Sequence, residues 1–278
     1  MVVEERTVEV DGSPVRYLAA GEGPPLVLLH AFGESALDWR WVMPALARRR
    51  SVYAPDLLGP KSGDGADYSS SSLTGLVANL LNVLGIERAV VVGNSLGGLV
   101  ALRLALSDPS RVEALGLVDS AGLGREIAPA LASAAIPGYG DAAVYLAKTC
   151  MGAAQRAWGK TPLLFALPAS ALPEWLAEQH RLGLTPGSMQ VTLAALRRHV
   201  NPAGQREGEI LLDELPRLKV PTLVVWGALD RVFPTRHARD TASRLRKGSL
   251  AIIPGCGHLP HVECPDRFAE VLNGFFDG

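Results

Sequence analysis

The sequence has few features of secreted, membrane-spanning or nucleic-acid-binding chains. It contains three cysteines, an odd number without CxxC or zinc-ligand spacing, which argues against a disulfide framework. No uninterrupted apolar run approaches the length of a membrane span, and the opening MVVEERTVEV has early acids instead of an apolar signal segment. The formal net charge of −1 gives no electrostatic reason to expect nucleic acid or an anionic membrane as a partner. We therefore expect a soluble, cytoplasmic protein.

Motifs for common cofactors are also missing. There is no GxxxxGK[ST] motif to hold a phosphate group, and no GxGxxG with a downstream acid opens a βαβ unit. The histidines show neither HExxH nor paired metal-ligand spacing. The sequence therefore predicts a protein that uses no cofactor and no metal.

Short apolar strands alternate with helices over most of the chain. Hydrophobic residues make up 48% of the 278 positions, enough for a sizeable buried core. Asp11-Gly12 predicts a hairpin, and later strands are predicted at 26–29, 52–54, 89–93, 112–118, 223–226 and 250–253. This pattern predicts a mostly parallel α/β sheet of eight strands, covered by helices on both faces, with an antiparallel hairpin at its start.

The alternation stops between residues 122 and 218. This segment is rich in Ala, Leu, Pro and Gly, and it contains helix-like pieces but no convincing strand. We interpret it as an all-helical cap inserted into a core formed by residues 1–121 and 219–278. Because the insertion follows the carboxyl end of a strand, it should lie over the ligand crevice of the sheet.

The most informative stretch is 89–105, which reads AVVVGNSLGGLVALRLA. A β-branched run ends at Gly93, and an apolar helix begins after Ser95, so that the serine lies in a sharp strand-to-helix turn. Gly93 and Gly97 lack side chains that would collide in such a turn. The pattern is the G-x-S-x-G nucleophile elbow, which predicts Ser95 as a nucleophile and the Leu96 N–H as an oxyanion donor.

A serine nucleophile needs a base and a group that orients the base. His258 lies among glycines in the loop after the last strand, at the predicted elbow edge of the sheet, and His261 is the fallback. Asp230 follows strand 223–226 and gives the chain order Ser, Asp, His. Asp119 ends strand 112–118 and is a competing candidate, although chain order favours Asp230.

The second oxyanion donor should come from the loop after strand 26–29, which reads HAFGES. The Phe32 N–H is our prediction for that donor. His30 ends the preceding strand, and we expect it to shape this loop and to contribute to substrate binding.

With these segments in order, the chain resembles the α/β-hydrolase family over nearly its whole length. The resemblance rests on five segments: HAFGES, APDLLG, GNSLGG, VVWGALDRVFP and GCGHLPHVECPDRF. It implies the α/β-hydrolase fold and the same roles for the residues predicted above, namely Ser95, Asp230, His258, Phe32 and Leu96. Two departures are Ala31, where the family usually has glycine, and PKSGDG, where the family more often has a Gly-x-Gly-x-Ser turn.

Within the family, the resemblance implies a cofactor-free serine hydrolase of small to medium carboxylic esters. The predicted substrate-binding residues are His30, Asn94, Trp158, Phe165 and Trp175; Leu172 and Met189 are further candidates to line an apolar acyl pocket. The alternative for the cap residues is that they pack the cap onto the core.

Two other functions stay open. Asn94 is similar to the residue before the serine in C–C bond hydrolases of ring-fission products, and Arg197 or Arg198 could supply the cap arginine of those enzymes. Leu259 stands where they usually carry tryptophan. The third possibility is a ligand-binding member of the fold without turnover. The sequence does not indicate an oligomeric state.

Overall fold

A single sheet positions every segment singled out above. The computed structural model describes residues 2–59 and 67–276. Its strands are β1 Glu4–Val10, β2 Ser13–Ala20, β3 Pro25–Leu29, β4 Ser51–Pro55, β5 Ala89–Asn94, β6 Val112–Val118, β7 Val200–Asn201, β8 Gly204–Gln205, β9 Thr222–Gly227 and β10 Gly248–Ile253. Eight of them pair in the order β1-β2-β4-β3-β5-β6-β9-β10. β2 pairs antiparallel with β1 and β4, and the remaining neighbours are parallel. The predicted mostly parallel sheet with its starting hairpin is confirmed.

Helices cover both faces of this sheet. They are α1 Met43–Leu46, α2 Ser70–Val83, α3 Leu96–Ser107, α4 Pro129–Ala134, α5 Tyr139–Ala147, α6 Cys150–Leu164, α7 Pro173–Leu184, α8 Ser188–His199, α9 Arg236–Arg244, α10 Pro260–Glu263 and α11 Pro265–Phe276. Among the described residues, no helix combines the length and apolar character needed to cross a membrane.

The central strands divide two hydrophobic clusters because alternate side chains point to opposite faces. In β5, Val91 packs with α2 and α3, whereas Val90 and Val92 pack with α1 and α11. Every residue of β5 is buried, as are nine of the twelve residues of α3. A strand or helix with apolar side chains on all its faces is stable only where other elements pack around it. The strand β5 and the helix α3 therefore lie at the centre of the fold.

The helices α4 to α8 lie in the chain between β6 and β9, within the predicted insertion at 122–218. The expectation that this segment contains no strand is wrong, because Val200 pairs with Gln205 and Asn201 with Gly204. Strands of two residues are too short to show an alternating pattern, so sequence reasoning missed them. The domain boundaries themselves stay a prediction, and the PKSGDG departure lies outside the described residues.

The cysteines also differ from expectation. Cys256 and Cys264 form a disulfide whose Cα atoms lie 6.6 Å apart, and Cys150 is free and exposed. The odd cysteine count argued against a framework of several bridges, but it could not exclude a single short-range pair. The two cysteines are eight residues apart in the chain, and the loop that their bridge closes contains His258 and His261.

Candidate active site

Ser95 lies at a strained turn between β5 and α3. Its backbone φ of 54° and ψ of −115° are rare for a residue with a side chain. The Ser95 N–H donates to the Val118 carbonyl at 3.0 Å, and its own carbonyl accepts from the Ala121 N–H at 3.0 Å. A Cβ at Gly93 would stand 2.1 Å from the Gly97 carbonyl oxygen, which explains that glycine. The end of β6 and the loop that follows it therefore hold the turn on both sides.

His258 and Asp230 form a buried pair at the carboxyl edge of the sheet. His258 Nδ1 lies 3.1 Å from Asp230 Oδ2, and the two side chains are 3% and 0% exposed. Asp230 Oδ1 also accepts from the Val232 and Phe233 N–H groups, at 2.7 and 3.3 Å. A carboxylate with these donors is well placed to orient an imidazole whose other nitrogen then faces away from it.

The backbone of His258 is fixed from two directions. Its N–H donates to the Leu164 carbonyl at the end of α6, at 2.8 Å. Its carbonyl accepts from Asn94 Nδ2 at 3.1 Å, and the same amide donates to the Val118 carbonyl. Asn94, which we expected to bind substrate, therefore uses its amide N–H groups to tie the elbow strand to the His258 loop.

Asp119 occupies the same corner as the His258–Asp230 pair. Asp119, Asp230 and His258 each offer an oxygen or nitrogen within 4.8 Å of the others, and within the described part of the chain they are the one such group suited to a metal. The oxygens of Asp230 already accept three hydrogen bonds from protein donors, so a metal would have to compete with them. The arrangement is that of a hydrogen-bonded acid–base pair with a second carboxyl beside it.

The HAFGES loop lies beside the elbow, where the Leu29 and His30 carbonyls approach Gly97. The His30 ring forms hydrogen bonds that hold this loop in place. The Leu57 N–H donates to His30 Nε2 at 2.8 Å, and His30 Nδ1 lies 2.8 Å from the Ala31 carbonyl. Burial lowers the pKa of His30, consistent with a neutral ring that accepts at one nitrogen and donates at the other. The structure thus places His30 in the support of the loop, as expected, and corrects its expected role as a substrate ligand, because backbone groups engage both ring nitrogens.

The two predicted oxyanion donors belong to the HAFGES loop and to the start of α3. Leu96 is the first residue of α3, where backbone N–H groups lack partners within the helix. Phe32 is half-buried, and its ring meets the ring of His199, the last residue of α8, edge-on at 5.4 Å. The cap therefore touches the loop next to the elbow.

A buried charged cluster joins the same loop to the cap. Lys160 on α6 donates to Glu34, to the Gly33 carbonyl at 3.1 Å and to Gln179 Oε1 at 2.6 Å. Glu34 also accepts from Trp175 Nε1 and from Gln179 Nε2, at 3.2 and 2.6 Å. Burial lowers the pKa of Lys160 to about 8, although the charge of Glu34 opposes that shift.

The predicted pocket residues of the cap have several different environments. Trp158 is 58% exposed, and its expected place in the lining of an apolar acyl pocket stays a prediction. Phe165 and Trp175 are fully buried and meet edge-on at 4.8 Å, within the cluster that joins cap and core. Met189 is buried and Leu172 is partly buried against that core cluster. The contacts of Phe165 and Trp175 are those expected under the alternative that these residues pack the cap onto the core.

The two arginines considered for a substrate carboxylate lie elsewhere. Arg197 pairs with Asp141 at 2.6 Å and donates to cap carbonyls, and Arg198 is exposed near Asp67. The cations next to the oxyanion loop are instead Lys160 and Arg156, whose Nη2 would stand 3.4 Å from a Cβ at Gly33.

Sequence reasoning missed the cap residues that contact the HAFGES loop. Glu34 and Lys160 are 126 residues apart, and no motif links them. The one available signal was Glu34 itself, because an acid in this loop requires a partner once it is buried. Glu263 was also missed, and it accepts from the Gly257 and Ala166 N–H groups, each at 2.7 Å, which joins the His258 loop to the cap.

Comparisons with known proteins agree with this architecture. Residues 26–271 match the model of the alpha/beta hydrolase family. The chain is 30% identical to a 2-hydroxymuconate semialdehyde hydrolase of Pseudomonas sp. strain CF600, covering 92% of this chain and 88% of that protein. It is also 30% identical to a pimeloyl-[acyl-carrier protein] methyl ester esterase of Aeromonas hydrophila, covering 92% and 96%.

A solved structure gives the same result for the fold. The 2-hydroxy-6-oxo-6-phenylhexa-2,4-dienoate hydrolase from Rhodococcus sp. strain RHA1 superposes with a TM-score of 0.84 at 24% identity, covering 100% of this chain and 99% of that one. Two of these relatives are named as hydrolases, of 2-hydroxymuconate semialdehyde and of a 2-hydroxy-6-oxo-6-phenylhexa-2,4-dienoate, and one is named as a methyl ester esterase. The chain belongs to the alpha/beta hydrolase family.

Proposed function

We propose that this protein is a serine hydrolase that cleaves small to medium carboxylic esters through an acyl-enzyme. The observation that carries the proposal is the strained Ser95 turn, which shares the carboxyl edge of the sheet with the buried His258–Asp230 pair. Strain of this kind persists where the surrounding structure enforces it, and the hydrogen bonds of the Ser95 backbone with Val118 and Ala121 enforce it here.

The reaction follows from the roles of these groups. His258 takes the proton of the Ser95 hydroxyl as the oxygen attacks the ester carbonyl, while Asp230 stabilises the imidazolium. The Phe32 and Leu96 N–H groups hold the developing oxyanion, each contributing on the order of 3–4 kcal/mol. His258 then protonates the leaving alcohol, the C–O bond breaks, and water releases the acid by the same steps in reverse. These steps need protein groups and water.

The cap contacts bear on how substrate reaches this site. Ser95 is 4% exposed and His258 is 2% exposed, so neither residue is open to solvent. The end of α6 and the two residues after it contact two parts of the site: the Leu164 carbonyl accepts from the His258 N–H, and the Arg231 guanidinium donates to the carbonyls of Phe165 and Ala166. We expect substrate entry to require separation of cap and core near the HAFGES loop.

The experiment is a chain-length series of p-nitrophenyl esters with the wild type and Ser95→Ala. We expect Ser95→Ala to lower kcat by about 10⁴-fold or more, because no other hydroxyl holds the elbow position. Ser120→Ala is the matched control, since this buried serine at the next strand end donates to the Ala121 carbonyl. A folded Ser95→Ala enzyme with full esterase activity would contradict the proposal.

C–C bond hydrolysis is the second candidate function. The relative from Pseudomonas sp. strain CF600 is named as a 2-hydroxymuconate semialdehyde hydrolase, and Arg156 and Lys160 place positive charge next to the oxyanion loop. A substrate carboxylate could use such charge, but Lys160 is already engaged by Glu34. Turnover of a ring-fission dienoate together with failure on simple esters would favour this function.

A ligand-binding protein without turnover is the remaining alternative. Labelling with an organophosphate distinguishes this alternative from the hydrolase. If the protein is a serine hydrolase, the reagent should label one serine per molecule of wild type and should not label Ser95→Ala.

A further inference from the structure

The corner of the site contains a carboxyl group that the proposed mechanism does not use. Asp119 directly follows β6 and adopts a positive φ of 42°, a conformation that aspartate tolerates better than most residues. Its backbone N–H donates to the Val225 carbonyl at 3.0 Å, and its Oδ1 accepts from the Gly227 N–H at 2.9 Å. The side chain is therefore fixed between β6 and β9, fully buried.

The second oxygen of Asp119 has no partner to accept from. Among the described residues, no group lies in hydrogen-bonding position to donate to Asp119 Oδ2. A buried carboxylate oxygen without a donor is costly, because ionised carboxylates need hydrogen bonds or a counter-charge away from water. The same oxygen is satisfied if it carries a hydrogen and an acceptor lies nearby.

The carboxylate of Asp230 is the candidate acceptor. Asp119, Asp230 and His258 each have an atom within 4.8 Å of the others, and the Asp230 side chain is also fully buried. Two carboxylates this close and this buried cannot both stay ionised at low cost, so one of them takes a proton. The number of hydrogen-bond donors decides which of the two carboxyl groups is protonated. Asp230 accepts from Val232, Phe233 and His258. Asp119 accepts from Gly227 alone among the described residues, so it is the one that takes the proton.

We propose that Asp119 is protonated at neutral pH and donates a hydrogen bond from Oδ2 to the carboxylate of Asp230, making it a positioning residue for the His258–Asp230 pair and a reserve acid for His258. The inference rests on the proposed hydrolase function for its kinetic consequences. Burial, followed by the charge of Asp230, raises the pKa of Asp119 well above its usual range, in agreement with this geometry. Among the described residues, the charge of Glu263 in α10 also raises the pKa of Asp119.

Two kinetic consequences follow. The hydrogen bond from Asp119 draws negative charge from Asp230 and so weakens its hold on the imidazolium form of His258. Asp119→Leu removes that bond, strengthens the hold, and should move the acid limb of the kcat/KM profile up by about half a unit to one unit. Asp119→Asn can still donate to Asp230 and accept from Gly227, so its acid limb should stay at the wild-type position.

The reserve role is tested by removing the charge of Asp230. In Asp230→Asn, Asp119 loses its like-charged neighbour, ionises, and can accept from His258 Nδ1. We expect Asp230→Asn to lower kcat/KM by about 10²–10³-fold and the double variant Asp119→Asn/Asp230→Asn by about 10⁴-fold, the full cost of losing a triad acid. Equal losses in the single and double variants would overturn the reserve role.

A direct readout does not depend on activity. Difference infrared spectroscopy at neutral pH should show the carbonyl stretch of a protonated carboxylic acid in wild type and in Ser120→Ala that is missing in Asp119→Asn. No such difference would overturn the protonation, even if the chain is a serine hydrolase. Conversely, if Ser95→Ala kept full esterase activity, the proposed function would fail while the infrared difference still decided the state of Asp119. Titration of each variant with an organophosphate measures the fraction of its molecules that have a folded active site.

Discussion

The buried His261 ring makes a prediction about acid stability. His261 stacks on Trp39 with ring centres 4.1 Å apart, is 1% exposed, and its Nδ1 has no partner among the residues that the structure describes. Burial, followed by the charge of His258, lowers the pKa of His261 to about 3. The folded protein therefore keeps this ring neutral at pH values where an unfolded chain would protonate it.

The sign and size follow from proton linkage. Between an unfolded pKa of about 6.5 and a folded pKa of about 3, the unfolded chain binds more protons, so stability falls as the pH falls through this window. The loss attributable to His261 grows by about 1.4 kcal/mol per pH unit, and reaches about 2 kcal/mol at about pH 5. Above about pH 6.5 the ring is neutral in both states and contributes no pH dependence.

The assay is urea unfolding of wild type and His261→Leu at about pH 7.5 and about pH 5. Wild type should lose about 2 kcal/mol more than the variant between the two pH values. Phe268→Leu is the matched control, since Phe268 packs against the same Trp39 and His261 rings but does not titrate. Phe268→Leu should lower the free energy of unfolding by the same amount at both pH values. If wild type and His261→Leu lost the same stability on acidification, the argument from burial would be refuted.

Three further predictions concern the elbow, the cap and the disulfide. Gly93→Ala should lower the unfolding free energy by about 3 kcal/mol or more, because its Cβ meets backbone at 2.1 Å, whereas Gly75→Ala in α2, with open space around it, should raise it by about 0.5–1 kcal/mol in the same urea titration. Lys160→Met leaves Glu34 buried without its cation and should cost about 3–5 kcal/mol by calorimetry, and adding Glu34→Gln should recover part of the loss. Cys264→Ser should cost about 2–3 kcal/mol, and dithiothreitol should lower the melting temperature of wild type but not of the variant.

The sequence predicted the fold well because the fold depends on local patterns. Short apolar strands that alternate with amphipathic helices allow few arrangements other than a covered parallel sheet, and the structure has that sheet. The strand β5 is buried along its full length, so its sequence reads as a nearly continuous apolar run. The two-residue strands of the cap had no such pattern and were missed.

The candidate site was predictable where strand order decides position. Ser95, Asp230 and His258 each follow a strand of the parallel sheet, so their loops meet at one edge whatever the intervening sequence does. The cap side of the site was not predictable, because Trp158, Phe165 and Trp175 look alike as apolar helix residues, yet the first is exposed and the other two are buried. Helical periodicity does not tell which neighbour a side chain meets.

The sequence by itself determined the elbow, its order relative to the acid and histidine loops, and the sheet that carries them, since these depend on glycine placement and strand alternation. Only the tertiary structure decided that Asn94 ties the elbow strand to the His258 loop, that Lys160 pairs with Glu34, and that Asp119 lies beside Asp230. The physical reason is that these contacts join residues far apart in the chain. A buried polar group demands a partner, but only the packing of the sheet and cap selects which partner it meets.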